Sequence, residues 1–388
     1  MKPPEGLSSL SRRQFLALLG VSGVAVAGGY ALYEYTPWLN VEAKAEQIRT
    51  PLTTTSTGSA SMQNLVRAAT LAASSHNTQP WTFVVQPDFI EIHPDRARQL
   101  LVLDPQGREL WISLGCALEN LLIAAHAAGY ATAVTYPDTA PDSVPDTVNV
   151  IRVRLIADSA HLTPLLAAIT LRRNTRSLYD GQPVAPTILR QLQVASSEPG
   201  VTAVFVQEPS ELNTVLEYIN QGNLEQYADP AFVQELISWL RFTKKDALAT
   251  LDGLYTRSSG NPEVPRWLGQ MVVGGTTPQG QADADAAKFR SSSGAVIITS
   301  SSDDRAAWVR TGQVYERLAL QMTALGVQSA FLNQPIEVSG VRSQLGTAMK
   351  LGPALPQLLM RFGHGPLLPG SLRRPVDQVM TGPVSTTL

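Results

Sequence analysis

The chain has 388 residues, enough for one large core or two ordinary ones and too many for a small obligate peptide module. Its formal net charge of −2 gives no summed positive field to draw in nucleic acid or an anionic membrane surface. A single cysteine, Cys116, rules out an intrachain disulfide and a cysteine-rich metal site.

The first element is "SLSRRQFLALLGVSGVAVAGGY", in which Arg12 and Arg13 precede an uncharged run from Phe15 to Tyr33. A charged region followed by an apolar one is the layout of an export signal. Ser11-Arg12-Arg13-Gln14-Phe15-Leu16 is similar to the twin-arginine signal of bacteria. That predicts export by the twin-arginine translocase to the periplasm or the extracytoplasmic membrane face. Ala25-Val26-Ala27 and Ala43-Lys44-Ala45 are two candidate cleavage sites, and the uncut run is just long enough to stay as a membrane anchor. Residues 1–45 are read as this segment and the polar, Thr/Ser-rich residues 46–61 as a linker.

Next comes a helical stretch, "LVRAATLAA", which runs into "SSHNTQPW", Ser74 to Trp81. Ser and Asn bond local backbone groups and Pro80 cannot extend a helix, so these eight residues predict a helix end and a turn. A turn crowded with amides and hydroxyls suits a flat polar ligand.

A long apolar helix, "GCALENLLIAAHAAG", carries Cys116, which reads there as a buried small hydrophobe. His126 on the same helix reads as a tolerated helix residue rather than a base. This stretch matches "GQVYERLALQMTALG" at a constant offset of 197 residues, from Gly115 to Gly312 and from Gly129 to Gly326. Both end on glycine, and each is followed by a β-favouring run, "YATAV" and "VQSAF". A weaker match pairs "LAASSHNTQPWTFVV" with "QVASSEPGVTAVFVQ". Two related α+β halves are expected, about 62–160 and 165–388, the second enlarged by an insertion at about 243–293. A loop that long reads as a lid or as disorder. In it, "PRWLGQMVV" offers Trp267 and Met271 either to cover a ligand or to pack into the core. The five histidines show no zinc spacing, and no phosphate loop, nucleophile elbow or dinucleotide fingerprint is present.

Four segments carry a resemblance. "SSHNTQPW" is similar to the Ser-Ser-x-Asn-x-Gln-Pro-Trp flavin loop of the nitroreductase family, and the long single chain resembles that family's Acg-like branch. "LRRNTRSLYD" resembles the family's Arg-Arg-Ser-x-Arg segment, with Asn174 in place of Ser. "LGVQSAFLNQP" and "RFGHGPLLPGSLRRP" resemble later family segments, and together the four cover about residues 62–380.

The resemblance implies an α+β, nitroreductase-like fold, with two related halves fused around antiparallel sheets flanked by helices. It also implies FMN. Guanidinium forks suit the phosphate, and the expected clamp is Arg172, Arg176 and Arg373, with Arg173 and Arg374 as adjacent alternatives. Ser74, Ser75 and Asn77 are expected to rim the flavin ring, and Gln79 to do so or to brace its own loop. Family members are typically homodimers with FMN at the interface. Here the loop survives in the first half and the arginines in the second, so one site is expected, to which the second half adds Asn174, Asn333 and Gln334. The implied activity is an FMN-dependent oxidoreductase passing electrons or hydride through flavin N5 to a small, quinone-like acceptor, with NAD(P)H as a candidate donor. Two alternatives are a protein that sequesters FMN with little turnover and, more weakly, a membrane-tethered scaffold without cofactor.

Overall fold

A computed structural model of the chain describes residue 29 and residues 39–52, 59–137 and 149–382. The twin-arginine motif and its apolar run lie outside the described residues apart from Gly29. In the first half, α1 (Val41–Ile48) and α2 (Ser59–Thr70) lead through the SSHNTQPW turn into β1 (Trp81–Val85) and β2 (Phe89–Pro94). There follow α3 (Arg108–Ala127), β3 (Tyr130–Thr135), β4 (Ile151–Ala157) and α4 (Pro164–Leu171). The second half opens with α5 (Pro186–Ala195), β5 (Ser197–Glu198) and β6 (Val201–Val206). A mostly helical block comes next: α6 (Pro209–Ala228), α7 (Pro230–Trp239), β7 (Leu240–Arg241), α8 (Lys244–Thr250), β8 (Leu254–Tyr255), α9 (Arg266–Gly274) and α10 (Pro278–Arg290). The chain then returns through β9 (Gly294–Ser300), α11 (Arg305–Ala324), β10 (Gln328–Phe331), α12 (Gln334–Glu337), α13 (Ser339–Ala348) and β11 (Leu355–Gly363). It closes with α14 (Val376–Val379) and β12 (Met380–Thr381).

The sequence places the helix starts plainly. Pro164, Pro186, Pro209, Pro230 and Pro278 each stand at the head of a helix, where a missing N–H costs nothing. The Asp304 side chain caps α11 by accepting from Ala307 N–H at 2.9 Å. Gly129 and Gly326, just past the ends of α3 and α11, take the left-handed φ values of +85° and +72° expected of helix-stopping glycines.

Two five-stranded sheets have matching orders, β12-β1-β2-β4-β3 and β5-β6-β9-β11-β10. In both, the two strands before the long helix lie next to one another and the two after it follow, so the 197-residue repeat is also a repeat of topology. The class is α+β, as expected. The second sheet is antiparallel, but the first is mixed, because β12 pairs in parallel with β1 through Phe83 and Met380. The chain's end thus adds an edge strand to the first half, which corrects the expectation that residues 165–388 form the second half alone.

Two other boundaries differ. Helix α1 crosses the expected signal/linker border, with Val41 and Ala45 buried against Ala247, Tyr255 and Leu372. Ala43-Lys44-Ala45 therefore lies within a packed helix. The insertion runs from 207 to 293 between β6 and β9, where residues 86–88 suffice in the first half, and it is helical rather than a long loop.

This insertion explains a difference between the sheets. β4, "IRVRLIA", alternates buried and exposed residues over its first five positions, as a strand with one wet face does. β9, "GAVIITS", is buried throughout, because α6 and α10 cover its second face with Val215, Ile219 and Phe289. The main core lies on the other side, where Trp111, Leu118, Val309, Tyr315 and Leu318 of the crossed α3 and α11 pack between the sheets. Among the described residues, α3 is the one helix long and apolar enough to span a membrane, and it is a core helix here.

Candidate functional site

The SSHNTQPW turn is strained. His76, Asn77 and Gln79 have φ values of +46°, +54° and +53°, in the left-handed region that Asn tolerates and most other side chains avoid at about 1–2 kcal/mol per residue. Such strain persists only where the surroundings enforce it. Here Ser74 Oγ accepts from Gln79 N–H at 3.1 Å, and Ser75 Oγ donates to Glu109 Oε2 at 2.6 Å. Asn77 Nδ2 donates to the carbonyls of Gly253 and Leu372, while its Oδ1 accepts from Arg373. Fully buried Gln79 donates to Leu251 O and accepts from Arg374 N–H. Asn77 and Gln79 therefore hold the turn, and its outer face is left to Ser74, Ser75 and His76.

Those three residues border a cavity of about 230 Å³. Opposite them stand Asn174 and Arg176 from the arginine segment, and Asn333 and Gln334 at the head of α12. Helix α3 supplies Glu109, Ser113 and Cys116, and α11 supplies Tyr315, whose ring stacks on Phe331 at 4.5 Å. The Tyr315 hydroxyl donates to Asn174 Oδ1 at 3.2 Å. Tyr227, Phe232, Leu236 and Leu254 of the insertion form the apolar side. Glu235 fastens that side to the first half by accepting from Val102 and Leu103 N–H, both at 2.9 Å. Trp267 and Met271 take neither expected place: both are exposed on α9, outside the cavity and outside the core.

The polar wall is continuous. Asn333 Nδ2 donates to Glu109 Oε1 at 2.6 Å, its Oδ1 accepts from Leu359 N–H, and Gln226 donates to Glu337. Burial, and then the nearby Glu109 charge, push Glu337 well above the usual carboxylate range. Burial, reinforced by the Arg176 charge, lowers His76 to about 4, so its imidazole is neutral at pH 7. Burial likewise raises the Cys116 thiol, keeping it protonated.

The expected phosphate clamp is not assembled at the cavity. Of its five candidate arginines, Arg176 alone lines it, and no hydrogen bond or ion pair to a described residue occupies its guanidinium. Arg172 donates to Leu71 O and pairs with Glu316 at 2.8 Å. Arg373 donates to the carbonyls of Thr70, Leu71 and Ala72. Both therefore satisfy the open carbonyls at the C-terminus of α2, where the helix dipole also favours cations. Arg173 donates to Leu368 O, and Arg374 to Gln79 O beside Asp95. The sequence shows where the basic residues lie along the chain, but not that a helix end takes them up. Glu109, Tyr315 and the insertion's Tyr227 and Phe232 went unnoticed as cavity residues because each reads as ordinary helix sequence.

No family model matches the chain. A Mycobacterium tuberculosis H37Rv protein named "Putative NAD(P)H nitroreductase Rv3131" is 27% identical over 329 residues, 83% of this chain and 91% of the relative. "Putative NAD(P)H nitroreductase acg" from the same organism is 23% identical over 327 residues, 82% and 94% of the two chains. Among solved structures, a "putative nitroreductase" from Anabaena variabilis aligns with 83% of this chain and 91% of its own at 10% identity and a TM-score of 0.39. A Bacteroides fragilis nitroreductase with bound FMN aligns with 58% and 98% at 15% identity and a TM-score of 0.32.

Proposed function

We propose that this chain is an FMN-dependent oxidoreductase of nitroreductase type, with one flavin site between two related halves. The observation that carries the reading is the convergence of Ser74 and Ser75, Asn174 and Arg176, and Asn333 and Gln334 on one cavity from three distant parts of the chain. Among the described residues, buried His76 Nδ1, buried Gln334 Oε1 and the Arg176 guanidinium have no hydrogen-bond partner, and all three residues line the cavity. These suit the edge of a flat polar ring, with Tyr315, Phe331 and Leu358 as apolar neighbours. The relatives' names favour the same class of activity.

When bound, the flavin supplies hydride or electron transfer through its N5 position to a small acceptor, with NAD(P)H as the candidate donor. The chain's own contribution is to position and to exclude water. Ser75 is fixed by Glu109, Asn333 by Leu359 N–H and Glu109, and the insertion's aromatic side covers the cavity. The Glu235 latch favours a second reading, an FMN-sequestering protein with little turnover. Export by the twin-arginine route, with the apolar run either cut or kept as an anchor, is part of the proposal and rests on residues 11–33.

The absorption spectrum of the purified chain tests the cofactor. Bound FMN shows the two visible flavin bands, and a colourless protein that takes up no flavin ends the reading. Anaerobic NADPH then separates the two functions: an enzyme bleaches and recovers with menadione, whereas a holder keeps its colour.

A further inference from the structure

Two carboxyl groups in the cavity wall meet at one amide. Asn333 Nδ2 donates to Glu109 Oε1 at 2.6 Å and to Glu337 Oε1 at 3.4 Å, and all three residues line the cavity. The amide cannot turn over, because its Oδ1 accepts from Leu359 N–H at 2.9 Å. Beyond that shared donor the two acids differ. Glu109 also takes the Ser75 hydroxyl at 2.6 Å and the Arg108 guanidinium at 3.2 Å, a donor set that suits an ionised carboxylate. Glu337 receives one further bond, from the Gln226 amide to Oε2, and no lysine or arginine among the described residues pairs with it. On the elements packed against it, Arg342 of α13 is taken by Asp303, and Arg361 of β11 by the carbonyls of Lys288 and Ser177. Helix α6 brings Tyr227, and α10 brings Asp285 with its own Lys288. Arg176 lines the same cavity without forming an ion pair with Glu337. A charge on Glu337 would stand half-buried beside the Glu109 anion with only amides to hold it, so the proton stays on. Oε1, the oxygen with the long amide contact, is the one left to carry it.

We propose that Glu337 is the proton donor of this cavity, with Glu109 as its fixed neighbouring anion, and that the acceptor is a molecule whose oxygen takes up a proton as it is reduced, such as a quinone. On the flavin reading above, on which this rests, a hydride carries both electrons from the reduced cofactor to the acceptor. The Glu337 O–H bond breaks as an O–H bond forms on the acceptor's oxygen, a hydroquinone leaves, and water returns a proton to the carboxylate. Ser75 and Asn333 hold Glu109 in place and so keep the second charge beside the donor.

The first measurement needs no cofactor. Infrared spectra of flavin-free, full-length wild type minus Glu337→Gln at pH 7 should show a protonated-carboxyl C=O band that disappears as pH rises. Subtracting the variant removes the bands of other raised carboxyls such as Asp104. The second is anaerobic stopped-flow reoxidation of the bound, reduced flavin by menadione, which takes up protons, and by ferricyanide, which takes electrons alone. Glu337→Gln should slow the menadione reaction by about a hundredfold and leave the ferricyanide reaction unchanged. Absence of the band at pH 7 overturns the proposal, as does equal slowing with both acceptors, which would make Glu337 a positioning residue. Should the variant fail to fold by circular dichroism, the wild type decides: a menadione rate that falls with rising pH while the ferricyanide rate holds is the expected result, and a menadione rate independent of pH is the contrary one. A wild type that takes up no flavin ends the flavin reading itself and this inference with it, an outcome distinct from a flavoprotein without the band.

Discussion

Gly115 and Gly312 meet where α3 crosses α11, and each admits only hydrogen against the other helix's backbone. A Cβ built on Gly115 lies 2.0 Å from the Val309 carbonyl oxygen, and one on Gly312 lies 2.0 Å from that of Ile112. The two contacts are images of one another under the 197-residue repeat, so the crossing is the quasi-twofold centre of the molecule. The cavity lies beside it, because Cys116 and Tyr315 of these same helices form its wall.

Alanine at either glycine should therefore push the helices apart. Overpacking typically costs 1–3 kcal/mol, and backbone atoms this close cannot rotate away, so Gly312→Ala is expected to lose about 3 kcal/mol in urea unfolding. The double variant should lose clearly less than the sum, since the first substitution already opens the crossing. Additive losses, or a single loss under about 0.5 kcal/mol, contradict this geometry.

The arginines divide into two kinds that a pair of variants separates. Arg172→Ala removes the guanidinium paired with the fully buried Glu316 carboxylate, and breaking such a pair is expected to cost about 3 kcal/mol, the low end of the usual range because Arg49 and Arg373 stay close to Glu316. No hydrogen bond or ion pair to a described residue holds the half-buried Arg176, although the Asp285 charge lies near it, so Arg176→Ala should change stability by no more than about 1 kcal/mol while weakening flavin uptake. Chemical denaturation and flavin titration on both variants check the split. Equal stability losses argue that Arg176 too is structural.

How much of this was legible in sequence follows from which interactions are local. The helix-stopping glycines and the two long central helices depend on neighbours within a few residues, and they stand where the pattern put them. The cavity's Ser74, Ser75, Asn174, Arg176, Asn333 and Gln334 could be named because their motifs are short and ordered. The fate of Arg172 and Arg373 could not, because it depends on where the C-terminus of α2 lands in space. The insertion's limits were blurred for a similar reason: α6 reads as ordinary helix until it is seen covering β9.

The amides of the strained turn give a third prediction. Asn77→Gly keeps the left-handed backbone available but removes the bonds to Gly253, Leu372 and Arg373. Asn77→Ala loses those bonds and adds backbone strain. The alanine variant should accordingly be less stable than the glycine variant by about 1 kcal/mol, a reversal of their usual order in regular structure. Thermal unfolding of the pair reads the difference, and a more stable alanine variant would mean that the turn relaxes.

Glu235 predicts a kinetic effect. Its carboxylate accepts from two backbone N–H groups of the first half, and hydrogen bonds to charged groups contribute about 1.5–3 kcal/mol. Losing that latch in Glu235→Ala should speed flavin release by roughly tenfold or more if opening of the insertion limits exit. Stopped-flow release, followed by the recovery of flavin fluorescence, measures it. An unchanged rate would mean that flavin leaves by another face.

His76 sets the sign of a pH dependence. The folded chain keeps its ring neutral down to about pH 4, whereas the unfolded chain takes up a proton near 6.5. Between those values the unfolded state binds more protons, so the stability from the neutral ring is fully present above 6.5 and is lost as pH falls towards 4. The full shift corresponds to about 3 kcal/mol, and the ring's partial solvent access reduces it to about 2 kcal/mol. Glu337, raised by burial, acts in the opposite sense, since stability from its protonated form is lost as pH rises through its folded pKa. A variant that keeps Glu337 and removes the histidine therefore isolates the His76 effect. His76→Asn suits the left-handed backbone at φ +46° and does not titrate. Urea midpoints at pH 7 and near pH 4.5 should show the wild type losing about 2 kcal/mol more than the variant on acidification. Parallel losses would mean that the imidazole reaches water and titrates in the fold much as it does in the open chain.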